Sequence, residues 1–196
     1  MPAHELQVPV SVGLVTGGLG QGGSYVGMSN DWREDSPRGL LTDAQSFQLV
    51  AEDALCAHTK RAAEDSPFSE DSPYILKCDP PSLAIYYNFC HGIELALKAY
   101  IRQQNVLRLS KLRSRKFGHN ISHLLDVAIE HGLCDECSLT ETQIEHIHAI
   151  SDSYSGKGLE YFRLGSIHLP PIVVIRDATR ALVEGIRPMK LRLAGE

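Results

Sequence analysis

The chain has 196 residues, 43% hydrophobic and 22% charged, the composition of an ordinary soluble globular protein long enough to bury one core. No apolar run approaches the roughly 18 residues of a membrane span, and the opening MPAHELQVPV lacks a basic n-region and carries Glu5, unlike a secretory signal. A net charge of −5 argues against a general nucleic-acid binder, and five cysteines, an odd number with no export signal, read as free thiols in a reducing cytoplasm.

Residues 1–40 differ in character from the rest of the chain. Val8, Val10, Val12 and Leu14 alternate as a short strand would, and seven of the sixteen glycines fall between Gly13 and Gly27. Gly18-x-Gly20-x-x-Gly23 has the spacing of a dinucleotide-binding turn, but that turn must open a helix and be followed by a second strand ending in an acid. Ser24 to Asn30 show no helical period, and SPRGLLTD reads as a helix entrance rather than a strand. No Gly-Lys-Ser/Thr is present, which excludes a P-loop. Residues 1–40 are therefore expected to be a flexible glycine-rich leader, and no cofactor is expected.

Residues 41–190 read as a single all-α bundle of about five helices. The first follows Thr42 and Asp43, both capping candidates, and places Phe47, Val50, Ala51, Ala54, Leu55 and His58 on one face. The polar SPFSEDSPY ends it. The second starts at Pro80 and Pro81, with Leu83, Tyr86, Cys90, Leu97 and Ile101 at three- and four-residue steps. A third spans about Asn120 to His131, turns Ile121, Leu124, Leu125 and Ala128 inward, and stops at Gly132. A fourth opens at a capping box, Ser138-x-x-Glu141, and carries Ile144, Ile147 and Ile150. The last runs from Pro170 and Pro171 through Ile186, and Pro188 closes it.

Charge is unevenly spread. Residues 1–94 hold 5 Lys/Arg against 13 Asp/Glu, residues 95–125 hold 7 against none, and residues 126–196 hold 7 against 11. An acid-free basic block in an acidic chain is either an anion-facing surface or a solvated loop and helix end. Just before it, Glu94 lies beside an apolar helix face, where a bare carboxylate is costly. Lys98, one turn on, is its local partner. His119 and Asn120 stand where a helix begins, Asn120 being the better cap. Cys134-x-x-Cys137 with His146 and His148 resembles a metal set, but two histidines two apart point to different sides of a helix. No metal is expected, and the thiols read as part of an interhelical turn.

Over about residues 80–187 the chain resembles the HEPN family of helical domains, in the subset with a Glu-x-x-x-Lys helix and a Gly-His-Asp/Asn-Leu helix start, here Glu94, Lys98, Gly118, His119 and Asn120, with Ile121 where leucine is commoner. The resemblance implies a homodimer that binds RNA or a nucleotide, here through Lys98, Arg102, Arg108, Lys111, Arg113, Arg115, Lys116 and His119, and the cysteine reading above makes it cytoplasmic. Catalytic members are metal-independent ribonucleases with Arg-x4–6-His near the last helix, matched here by Arg163 and His168. The arginine would steady the phosphate oxygens and the histidine would move a proton. Leu164 replaces a commonly polar residue, and Gly165 with Pro170-Pro171 puts the pair in a loop. Arg113-x5-His119 is a rival match. Family members often belong to toxin–antitoxin or defence systems, so an antitoxin or other protein is an expected partner, and a membrane is not. The alternative is a non-catalytic helical dimerisation or protein-interaction module, in which Arg163 pairs with an acid and His168 is a surface or capping residue.

Overall fold

The computed structural model describes residues 36–65, 80–114, 116–160 and 169–186. Among them are seven helices and no strand: α1 (Pro37–Asp65), α2 (Pro80–Gln103), α3 (Leu109–Leu112), α4 (Ile121–Glu130), α5 (Leu133–Glu136), α6 (Glu141–Ser155) and α7 (Ile172–Gly185). Five are long, and α3 and α5 are single turns within connectors. The Gly18-x-Gly20-x-x-Gly23 motif and most of the expected leader, the SPFSEDSPY turn and Pro188 lie outside the described residues.

The first helix begins before its expected entrance. Pro37 occupies its first position, where a missing N–H costs nothing, and Ser36 Oγ accepts the Gly39 N–H at 2.9 Å. Thr42 is no cap; its hydroxyl donates to the Arg38 carbonyl at 2.9 Å inside the helix. The buried stripe is Leu40, Ala44, Gln48 and Ala51, so the face is rotated from the expected one and Val50 is 57% exposed.

That rotation is set by the partner helix. A Cβ on Gly92 of α2 would lie 3.3 Å from the Ala44 carbonyl oxygen and 3.2 Å from Thr179 Cγ2. Ala44, Ala51 and Gly92 therefore let α1 and α7 approach the α2 backbone closely. The middle helix is apolar around most of its circumference, with Leu83, Ile85, Tyr86, Phe89, Ile93, Leu97, Tyr100 and Ile101 buried. A helix of that kind belongs at the centre, and α2 packs against α1, α4 and α7.

The remaining helices are set by caps and anchors. Asn120 Oδ1 accepts the His123 N–H at 3.0 Å and starts α4, which buries Ile121, Leu124, Leu125 and Ala128. Tyr100 OH donates to the His131 carbonyl at 2.8 Å, and Gly132 (φ +89°) turns the chain into α5. The capping box of α6 is Thr140 with Gln143, not Ser138 with Glu141. Gln143 N–H donates to Thr140 Oγ1 at 3.2 Å and Thr140 N–H to Gln143 Oε1 at 2.9 Å. The expected box lies two residues early: the Thr140 N–H, which a Ser138 cap would take, goes to Gln143 Oε1 instead. On α6, Ile147 and Ile150 are buried and Ile144 half-buried. Tyr86 OH donates to the Pro170 carbonyl at 2.5 Å and pins the chain just before α7.

Candidate functional site: a buried carboxylate beside a basic connector

One face of α2 carries His91, Glu94 and Lys98 at three- and four-residue steps. The start of α4 brings Gly118 and His119 to it, and the last turn of α6 brings Tyr154. Glu94 stands at the centre, only 2% exposed. Lys98 Nζ donates to Glu94 Oε1 and, at 2.9 Å, to the Gly118 carbonyl. Tyr154 OH donates to Glu94 Oε2, and His119 Nδ1 lies 3.1 Å from the same oxygen. His91 Nδ1 is 2.8 Å from the Tyr154 hydroxyl and 3.6 Å from Glu94 Oε2.

These partners fix the protons. Burial works to raise the Glu94 carboxyl, but the neighbouring His91 ring, the Lys98 charge and the Lys98 and Tyr154 hydrogen bonds outweigh it and hold the group at about 2. Burial and then the Glu94 charge push the Tyr154 phenol far up, so it stays protonated and donates. A phenol has one proton, and Tyr154 gives it to Glu94; His91 Nδ1–H is therefore the donor to the phenol oxygen. The carboxylate accepts only, so His119 Nδ1 also carries hydrogen, and in the neutral ring Nε2 is the acceptor. The His119 side chain is 52% exposed.

Rings close the site. His91 stacks on Tyr87 with centroids 5.8 Å apart and takes the edge of Phe47 at 4.3 Å, while His119 meets Tyr154 edge-on at 5.8 Å. His91, Tyr154, Tyr87 and Phe47 carried no expected role. The three-residue step from His91 to Glu94 is the one local signal for any of them.

The expected phosphate-binding and catalytic residues divide into four groups. Arg108, Lys111, Arg113, Lys116 and His119 are exposed on the connector between α2 and α4. Lys116 Nζ lies over the Phe117 ring, 5.6 Å from its centroid. Lys98 turns inward, 14% exposed, and its charge is committed to Glu94. Arg102 is half-buried, and its buried Nε has no hydrogen-bond partner. Arg115, Arg163 and His168 lie outside the described residues.

The cysteine and histidine set of the α5–α6 region is dispersed. His146 Nδ1 bonds the Thr142 carbonyl at 2.7 Å, whereas His148 Nδ1 meets Ser122 Oγ at 2.7 Å and Nε2 lies 3.6 Å from Asp126. Cys134 is exposed and Cys137 buried. Among the described residues no three His, Cys, Asp or Glu side chains converge to hold a metal ion, and no helix is long and apolar enough to cross a membrane.

A second feature lies between α1 and α7. An open groove of about 810 Å3 is lined by Leu55, Cys56, Thr59, Pro171, Val173 and Arg176 among others. One edge is tied by the Arg180–Glu52 ion pair at 2.8 Å. Val173 beside it is 48% exposed, and Leu49 on α1 is 53% exposed.

No family model, no curated protein and no solved structure matches this chain.

Proposed function

We propose that the protein is a HEPN-like, cytoplasmic RNA- or nucleotide-binding homodimer whose α2–α4 connector meets the phosphate backbone. One observation carries this reading: Arg108, Lys111, Arg113 and Lys116 are all exposed on one short connector that contains no acid and ends at the exposed ring of His119. Such a cluster attracts polyanions even on a chain of net charge −5. The family resemblance is supported by the meeting of Glu94 and Lys98 with Gly118 and His119 in one hydrogen-bonded cluster. In the catalytic form of this reading, Arg163 and His168 cleave RNA without a metal, and an antitoxin or other protein partner restrains the activity.

The test is binding of a labelled, mixed-sequence single-stranded RNA, followed by fluorescence anisotropy across a salt series in excess EDTA. Wild type binds with an affinity that falls as salt rises. Lys111→Glu with Lys116→Glu lowers the affinity at least tenfold and flattens the salt slope by about 0.7 for each phosphate no longer neutralised. Equal binding by both proteins overturns the reading. Cleavage products in the same samples, absent from Arg163→Ala and His168→Ala, would establish the catalytic form.

One observation favours a second reading, a non-catalytic interaction module. Val173 is exposed in the α1–α7 groove and Leu49 in the adjoining hollow across the Arg180–Glu52 pair, and exposed apolar surface of this kind marks partner contacts. The two readings use different surfaces and are separable by mutation.

A further inference from the structure

We propose that the α1–α7 groove is a docking site for an acidic amphipathic helix of a partner protein. The inference rests on the interaction-module reading and adds to it the charge and the backbone form of the partner.

Charge sets the sign of the occupant. Three cations, Lys60, Arg176 and Arg180, and one acid, Glu52, line the groove. The acid is already engaged: Glu52 Oε1 accepts from Arg180 Nη2 at 2.8 Å and from Gln48 Nε2 at 3.0 Å. Arg176 Nε donates to Asp177 Oδ1 at 2.8 Å, which leaves the outer end of its guanidinium to a visitor. Lys60 is exposed and forms no ion pair with a described residue. A cationic groove on a chain of net charge −5 is a local reversal of sign, and such a surface selects partners of opposite charge. A second copy docked by the same face is disfavoured on the same ground. A two-fold interface sets a patch against its own copy, and here that brings cations against cations.

Apolar surface sets the form. Half-buried Leu55 on α1 and half-exposed Val173 on α7 lie among the cations, and each wall is a helical stripe, Glu52 to Lys60 on one side and Ile172 to Arg180 on the other. Each stripe runs about 12 Å, a little over two helical turns. An extended segment laid there meets no strand edge among the described residues, so its backbone N–H and C=O groups would be pressed unpaired against Leu55 and Val173. A helix satisfies its own backbone and presents an apolar stripe with acids on both flanks. A free fatty acid meets the charge requirement as well, but sites for small ligands enclose most of the ligand, and this groove is open to solvent.

Cys56 supplies the reporter. It lines the groove and is exposed, while Cys134, also exposed, stands on α5 outside it. The probe is a synthetic peptide of about 15 residues, near the shortest length that holds a helix in water, with a leucine stripe flanked by glutamates. A second peptide carries lysines in their place. Binding to the full chain is read by fluorescence anisotropy, and alkylation of each cysteine by iodoacetamide is followed by mass spectrometry. The expected result is that the glutamate peptide binds roughly tenfold or more tightly than the lysine peptide, with an affinity that falls as salt rises. At saturation it slows alkylation of Cys56 severalfold and leaves Cys134 unchanged. Lys60→Glu with Arg176→Glu reverses the preference, and thermal melting checks the fold. Should that pair melt early, Lys60→Glu alone, at an exposed residue, carries the test. Lys111→Glu with Lys116→Glu, on the basic connector, leaves peptide binding as it was. Equal binding of the two peptides overturns the inference, as does binding that the connector variant abolishes or that leaves Cys56 unprotected. Protection of Cys56 that grows with protein concentration in the absence of peptide gives the groove to a second copy, which overturns the acidic helix and leaves the interaction reading standing. Alkylation of Cys56 at one rate in every sample, with peptide or without it and at every protein concentration, overturns both.

Discussion

The two flanks of α2 are held by different physics. Towards α1 and α7 the contact is one of shape, in which Gly92, Ala44 and Ala51 bring backbones together and little polar chemistry is involved. Towards α4 and α6 the contact is one of charge, in which Glu94 collects Lys98, Tyr154 and His119 from three parts of the chain. A packed apolar contact degrades gradually when atoms are removed, whereas a buried ion network fails as a unit. The flank that is costlier to disturb is also the one that reaches the surface beside the basic connector.

The sharpest way to break the comparison is Glu94→Ala. It leaves the Lys98 ammonium, 14% exposed, without its counter-charge and removes the acceptor of the Tyr154 proton. The expected loss is about 3–5 kcal/mol, read from urea unfolding. Acid provides the same test without a change of sequence. The Glu94 carboxyl is held at about 2 in the folded protein, below its ordinary value near 4.5. Its contribution is therefore fully present above about pH 4.5 and is lost as pH falls through about 2. Glu94→Gln should flatten stability against pH over that window. An unchanged acid limb in the variant would mean that other carboxylates dominate it.

How much of this was legible in sequence depends on the range of the interactions. The inward faces of α2 and α4, and most of that of α6, could be read because their apolar residues recur at helical steps. The entrance of α1 could not, because Ser36 and Pro37 carry no apolar period and the rotation of its face is dictated by Gly92 on another helix. The single turns α3 and α5, four residues each, are too short to show a period. In the site, Glu94 and Lys98 could be paired from a four-residue step, and Asn120 from its place before an apolar helix. Tyr154 could not, because it lies 60 residues from Glu94 and nothing local distinguishes it from a core tyrosine. The charge on Lys98 misled for a related reason: membership of a basic block says nothing about which way one lysine turns.

A smaller effect sharpens the other flank. Gly92→Ala gains roughly 1 kcal/mol of helix propensity. The new Cβ would sit 3.3 Å from the Ala44 carbonyl oxygen, a backbone atom that moves only if α1 moves. Overpacking of that kind costs about 1–3 kcal/mol. The expected net result is a loss of about 1 kcal/mol in urea unfolding, with RNA binding unchanged, because the strain falls on the flank remote from the connector. A gain in stability would show that α1 is less tightly seated than its small residues suggest.

The smallest effect on stability carries the most information about function. Leu49 and Val173 are about half exposed, so Leu49→Ser with Val173→Ser removes little buried area and should change unfolding by less than about 0.5 kcal/mol per site. If the α1–α7 groove and the adjoining hollow that holds Leu49 receive a second copy or another protein, the same pair should weaken association, measured by sedimentation over a concentration series, at unaltered melting temperature. RNA affinity should be untouched, since no connector cation lines the groove. Loss of association with RNA binding intact would give each flank its own task, the shape-packed one for protein and the charge-packed one for phosphate. A fall in RNA affinity alongside association would instead mean that the phosphate surface is completed only when two copies meet.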